Sequence, residues 1–164
     1  MSQRVKNSFG KCHKHEGTCF ELKCERYAID YSRKFFLFDV IPQGKPRMTR
    51  QDKWRTNPNH VDAKRRQRKC VTEYWAYKNK ILWQAKHLGF EMSDFLDAVY
   101  ILPMPNSWSA KKKERENCMP CKVKPDTDNI TKGIKDIFHI NDSHVWWEKA
   151  EKRWGYFGSI LLYA

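Results

Sequence analysis

The sequence predicts a single α+β domain, and three observations carry that prediction. A chain of 164 residues is close to the usual size of one compact domain and can bury a core without disulfides. Short aromatic and β-branched runs bounded by proline and glycine read as strands. Between them lie two stretches whose apolar residues return at helical spacing, one long and one short. Neither repeats nor low-complexity segments interrupt this pattern.

Residues 1–33 carry Lys, Cys and His without a sustained period and read as a basic extension, leaving 34–164 as the domain. The run from Phe35 to Ile41 predicts a strand that stops at Pro42-Gln43-Gly44. It enters the turn Lys45-Pro46-Arg47-Met48-Thr49-Arg50, where two prolines and a glycine set an extended path while Lys45, Arg47 and Arg50 project cations suited to phosphate. Between Asn59 and Leu88, Val71, Tyr74, Trp75, Ile81, Leu82, Ala85 and Leu88 predict a long helix, with Gly89 as its C-terminal stop. The lysines and arginines of its first half, among them Arg68 and Lys69, read as a solvated or a DNA-facing surface. Phe95 to Pro103 predicts a well-covered strand. Asn106 to Lys124, with Lys111-Lys112-Lys113 and few large apolar residues, predicts a long mobile loop. A short helix follows over 126–138, packed through Ile130, Ile134, Ile137 and Phe138. Val145–Trp154 and Gly158–Tyr163 read as the two arms of a C-terminal hairpin.

A net charge of +13 and a pI near 9.5 point to a polyanionic partner, nucleic acid first. No run of about 18 apolar residues is present and the first ten residues lack the apolar core of a secretory signal, so a cytoplasmic protein with no membrane partner is expected. In that compartment the six cysteines are expected as thiols or metal ligands rather than disulfides. Cys118 and Cys121 have the two-residue gap of a zinc pair, and Cys12, His13, His15, Cys19 and Cys24 are further candidate ligands. Without a second Cys-x-x-Cys, the competing reading is a set of reduced thiols.

The acidic residues carry the chemistry. Asp126 and Asp128 stand two apart at a helix start, where side chains two apart share one side before the helical period takes over. Lys132 follows Asp128 by four residues, within reach on the same helical face. Asp142, beyond the helix, returns toward the pair if the chain reverses. Three aspartates with waters and a substrate phosphate suffice for Mg²⁺, with Mn²⁺ as a substitute. The alternative gives Asp126 to a helix cap, Asp128 and Lys132 to an ordinary helix pair, and Asp142 to a solvated turn. On that reading the protein is a non-catalytic basic DNA-binding module.

These landmarks, in this order, resemble the RusA family of Holliday junction resolvases of bacteria and their phages. Pro42-Gln43-Gly44-Lys45-Pro46-Arg47 is similar to the family's basic loop, Pro125-Asp126-Thr127-Asp128-Asn129 with Lys132 to its acidic motif, and Asn141-Asp142-Ser143 to the acidic site after the helix. Lys149 to Gly155 resembles its final lysine-rich strand and turn. The resemblance covers roughly Phe35 to Ala164. It implies a mixed β-sheet packed with a long helix and a short helix carrying the acidic site. It also implies Asp126, Asp128 and Asp142 as catalytic metal ligands, Lys132 as a catalytic lysine, and Lys45, Arg47 and Arg50 as DNA contacts. Implied too are a homodimer, a branched-DNA substrate, and Mg²⁺-dependent paired nicking in recombination and repair. A two-fold dimer suits two symmetric nicks. The chain departs from the pattern at Asn141, where many members carry a second acid, and in residues 1–33. Trp146, Trp147 and Trp154 are candidates for base stacking, for core, or for a dimer interface.

Overall fold

The computed structural model describes residues 34–50, 52, 68–138 and 144–163. All of them belong to the unit Tyr31–Ala164. The expectations for residues 1–33, for the helix before Arg68, and for Asn141 and Asp142 fall outside the described residues.

Four strands form one mixed sheet in the order β1-β4-β2-β3. They are β1 (Phe35–Phe38), β2 (Phe95–Pro103), β3 (Trp147–Gly155) and β4 (Ser159–Tyr163). β4 runs antiparallel to both β1 and β2, while β2 and β3 are parallel. Burial follows position: β4 is buried throughout and β2 from Leu96 to Leu102, whereas β3 begins exposed at Trp147, Glu148 and Lys149. Near-continuous apolar strands take the centre because both their faces are covered. The charged start of β3 suits an edge.

That ranking overturns the predicted hairpin. β3 and β4 are consecutive but do not pair, since β2 lies between them. Only Tyr156, Phe157 and Gly158 join them, passing the end of β2 where Gly155 pairs with Pro103 and Ser159 with Ile101. Two strand spacings are about 9.6 Å, which three extended residues can just span. The crossing is tight: a Cβ on Gly158 would lie 2.8 Å from the Ile41 backbone. Sequence proximity suggests a hairpin, but the most apolar strand of the set claims the central place.

β1 ends at Phe38, short of the predicted run to Ile41, because Gln84 takes both backbone groups of the next residue. Its Oε1 accepts from the Asp39 N–H at 2.8 Å and its Nε2 donates to the Asp39 carbonyl at 3.3 Å. Gln84 belongs to α1 (Lys69–Leu88), the long helix, which ends as expected at Gly89 with φ 64°. The buried seam of α1 is Val71, Tyr74, Tyr77, Ile81 and Ala85, so the expected Trp75 and Leu88 lie outside it and Tyr77 replaces them.

The expected loop after β2 is structured. Ala110–Glu116 is a helix, α2, whose N-cap Ser109 accepts from the Lys112 N–H at 3.3 Å. The next residues hydrogen-bond along the outer edge of β3: Cys118 N–H to the Trp154 carbonyl at 3.0 Å, Trp154 N–H to the Met119 carbonyl at 2.9 Å, and Cys121 N–H to the Lys152 carbonyl at 2.9 Å. This covers half of an edge that would otherwise present unpaired backbone groups.

The short helix, α3 (Thr127–Ile137), packs with α1 on one face of the sheet. Ile130, Ile134 and Ile137 recur at i, i+4 and i+7 and are fully buried against Phe38, Tyr100, Ile160 and Leu162. A buried polar chain fixes its register. Thr131 donates to the Thr127 carbonyl at 2.9 Å, so the Tyr100 hydroxyl, 3.0 Å from Thr131 Oγ1, is the donor to it. Burial holds the Tyr100 phenol well above its usual range, which keeps that proton in place.

Thr131→Val removes the acceptor and strands a buried phenol, so urea unfolding should show a loss of about 1–3 kcal/mol. Tyr100→Phe removes the group that needs a partner and should cost less. Equal losses would show that the bond contributes nothing.

Candidate active site

α3 places its N-terminus at the end of a segment that the sheet holds from behind. Lys152 on β3 donates its ammonium to the carbonyls of Val123 and of Pro125, the latter at 2.7 Å. Further along, Lys135 pairs with Glu148 at 2.9 Å, so α3 runs beside β3 in the opposite direction. Nothing in the sequence marked these partnerships of Lys152 and Glu148, because the partners lie on different elements and two of the three partner atoms are backbone carbonyls.

Asp126 occupies the N-cap position of α3 with extended backbone, φ −68° and ψ 147°. Its carbonyl accepts the first helical bond from Ile130 at 3.1 Å, yet its side chain makes no cap hydrogen bond and it is exposed. Asp128 lies in the first turn with its side chain 69% exposed, and Lys132 Nζ stands 3.5 Å from its Oδ2. Both carboxylates sit where unsatisfied backbone N–H groups and the helix dipole favour negative charge. Because the isoleucine seam faces inward, Asp128, Lys132 and Asp136 form a stripe along the outer face. Among the described residues no group of three His, Cys, Asp or Glu side chains is placed to hold a metal ion. Asp142, the expected third aspartate, is outside them.

The basic loop packs directly on this helix. A Cβ on Gly44 would lie 2.5 Å from Asn129 Nδ2 and 2.9 Å from Pro125 Cβ, so glycine permits the close approach. Lys45 donates its backbone N–H to the Asn129 carbonyl at 3.4 Å and pairs its ammonium with Asp136. Arg47 and Arg50 are exposed. The loop is tied to α1 through Arg68, which donates to the Arg47 carbonyl at 2.9 Å and binds Asp52 through Nε at 3.2 Å and Nη2 at 2.5 Å. Thr49 adds its N–H at 2.8 Å and its hydroxyl at 2.7 Å to Asp52. Asp52 is only 2% exposed, and the Arg68 hydrogen bond first, then those from Thr49, hold its carboxyl well below the usual carboxylate range.

The remaining candidates separate. Cys121 is buried and Cys118 partly so, neither is in a disulfide, and the other proposed zinc ligands lie outside the described residues. Trp154 is core, its ring 5.1 Å from that of Trp108, while Trp146 and Trp147 are exposed. α2 presents Lys111, Lys112 and Lys113, and Lys122 and Lys124 are exposed on the link that leads to Asp126. These cations belong to an ordered approach to the acidic helix, which the expectation of a loop missed. Ser109 ahead of a run of strong helix formers was the available signal.

The depressed Asp52 carboxyl has a consequence in acid. A lowered folded pKa contributes stability that is complete above the unfolded value near 4 and is lost as pH falls through the folded one. Asp52→Asn should therefore be less stable at neutral pH and should lose stability less steeply below about pH 4, as read from urea midpoints across pH. Parallel acid limbs would show that the Arg68 pairing does not set them.

The sequence model described as Endodeoxyribonuclease RusA matches residues 38–159, which takes in the basic loop, α1, the acidic motif, β2 and β3, and reaches only the last residue of β1 and the first of β4. No curated protein and no solved structure matches the chain. The matched region is most of the chain and includes Gly44, Asp126, Asp128 and Lys132, and the chain belongs to the RusA endodeoxyribonuclease family.

Proposed function

We propose that this endodeoxyribonuclease is a structure-selective resolvase that cuts four-way junctions by Mg²⁺-dependent hydrolysis, making paired nicks as a homodimer in recombination and repair. The observation that carries the reading is the state of Asp126. A carboxylate at an N-cap normally spends its oxygens on the helix, and this one does not. Its exposed position beside Asp128, on a helix end braced by Lys152 and the Gly44 loop, is that of a group kept for a ligand.

Asp126 and Asp128 are hard oxygen donors of the kind Mg²⁺ takes, and with Asp142 they would hold it. When bound, such an ion neutralises phosphate charge and lowers the pKa of a water. The protein's own groups do the rest. Lys132, 3.5 Å from Asp128, orients that carboxylate and brings a cation to the charge that develops on the phosphate. Arg47 and Arg50, with the lysines of α2 and its link, supply phosphate contacts that position the strands. Lys45 contributes less free charge than a bare loop lysine because Asp136 shares it.

Incubating the protein with a labelled four-way junction and a matched linear duplex, with and without Mg²⁺, tests the reading. Symmetric nicks confined to the junction are expected. Asp128→Asn should lower the cleavage rate at least about 10³-fold, as for loss of a group that stabilises transition-state charge, while junction binding stays within about threefold. Binding without cutting in both Mg²⁺ and Mn²⁺ would instead identify a non-catalytic DNA-binding module, and cutting of flaps in preference to junctions would change the substrate.

A further inference from the structure

Beside the basic loop lies a cavity of about 370 Å³ that the hydrolytic chemistry does not use. Met48, Tyr74 and Trp75 give it an apolar and aromatic lining, and Lys45 and Lys78 add cations. Asp136 and Asp52 also line it, but each is held in an ion pair, with Lys45 and with Arg68. The cavity thus combines flat aromatic surface with the Lys78 ammonium, and its two acids are compensated by Lys45 and Arg68.

The aromatic wall is fixed in advance. Tyr74 donates its hydroxyl to the Gly133 carbonyl at 3.4 Å, and burial, helped by the nearby Asp136 charge, pushes its phenol up to about 12. Trp75 meets it edge-on with ring centroids 6.5 Å apart, and Lys78 Nζ stands 5.4 Å from the Trp75 ring. Trp75 is 37% exposed although it sits on a helix whose neighbouring positions Tyr74 and Tyr77 are buried. A large indole left half in solvent at the wall of a cavity is a surface for a flat ligand. The cavity also shares a helix face with the acidic site: Asp136 follows Asp128 and Lys132 at intervals of four, about 12 Å along the axis from Asp128.

We propose that this cavity receives one unpaired nucleobase of the DNA strand, stacked on Trp75, with a flanking phosphate drawn to Lys78. The inference rests on the nuclease reading and extends it from phosphate hydrolysis to recognition of the branch. A branch point offers bases whose pairing is already broken, for which unstacking costs least. Stacking on an aromatic ring accepts any base and is worth about 1–3 kcal/mol. A volume of this size is at the small end of ligand pockets, suited to a single base with its sugar. Selectivity for branched over linear DNA then comes partly from a site that a fully paired duplex cannot fill.

The test uses the full chain carrying Asp128→Asn, bound to four-way junctions in which 5-iodouracil replaces thymine at successive positions from the crossover. Irradiation should crosslink one or two positions near the crossover to Trp75 or Tyr74, read by peptide mapping. Adding Trp75→Ala should remove the crosslink and weaken junction binding about 5- to 150-fold, with linear duplex binding changed less than twofold. Trp75→Phe, which keeps a flat ring, should restore binding to within about fivefold, and this separates stacking from loss of fold. Crosslinks confined to the exposed Trp146 or Trp147, with junction affinity unchanged in Trp75→Ala, would overturn the cavity's role and leave the nuclease reading intact. Failure of the Asp128→Asn protein to bind any DNA would bring down the nuclease reading itself, and this inference with it.

Discussion

The buried hydrogen-bond chain from Tyr100 through Thr131 to the Thr127 carbonyl is the constraint on which the rest of the structure depends. Apolar packing alone leaves a helix free to slide or rotate by small steps, because isoleucine surfaces are nearly interchangeable under translation. A buried phenol admits one partner at one distance. It sets both the rotation of α3 and its position along the sheet. The rotation turns Asp128, Lys132 and Asp136 outward, and the position delivers Asp126 to the point where Lys152 holds the carbonyls ahead of it.

Charge is distributed around that helix in two ways. Some cations are spent on structure: Arg68 on Asp52, Lys135 on Glu148, Lys152 on backbone carbonyls, and Lys45 on Asp136. Others project from the surface, including Arg47, Arg50, Lys122 and Lys124. The net charge of +13 already subtracts the paired acids, so the structural pairs do not change its size but decide where the remaining positive charge points. The acids follow the same division. Asp52 is fully committed to its partners, while the Asp126 side chain makes no cap hydrogen bond to the helix it begins.

Two close approaches make the site compact. Gly44 lets the basic loop rest against Pro125 and Asn129, and Gly158 lets the chain cross the end of β2 beside Ile41. The first brings the cationic loop to the acidic helix. The second allows β2, apolar on both faces, to sit between strands that are neighbours in sequence. Together they account for a small domain that carries its loop, its helix end and an aromatic cavity on adjoining surfaces without a second layer of helices among the described residues.

The sequence by itself determined the α+β class, the bounds of β2, the stop of α1 at Gly89, and the pairing of Asp128 with Lys132. Each of these depends on residues close in the chain, where periodicity, a left-handed glycine or an i,i+4 spacing states the geometry directly. Partnerships across the chain were decided only in the folded molecule. Gln84 ends β1, Tyr100 fixes α3, Lys152 braces the segment before Asp126, and β2 separates β3 from β4. The α2 helix lacks a buried residue and so left no periodic trace, and Trp75 stood among the helically spaced apolar positions although it lies outside the seam, because spacing alone does not say which side meets the sheet. Short-range rules name the elements, but the competition among strands and helices for one buried face, settled by volume and by buried hydrogen bonds, determines which side chains are left facing the substrate.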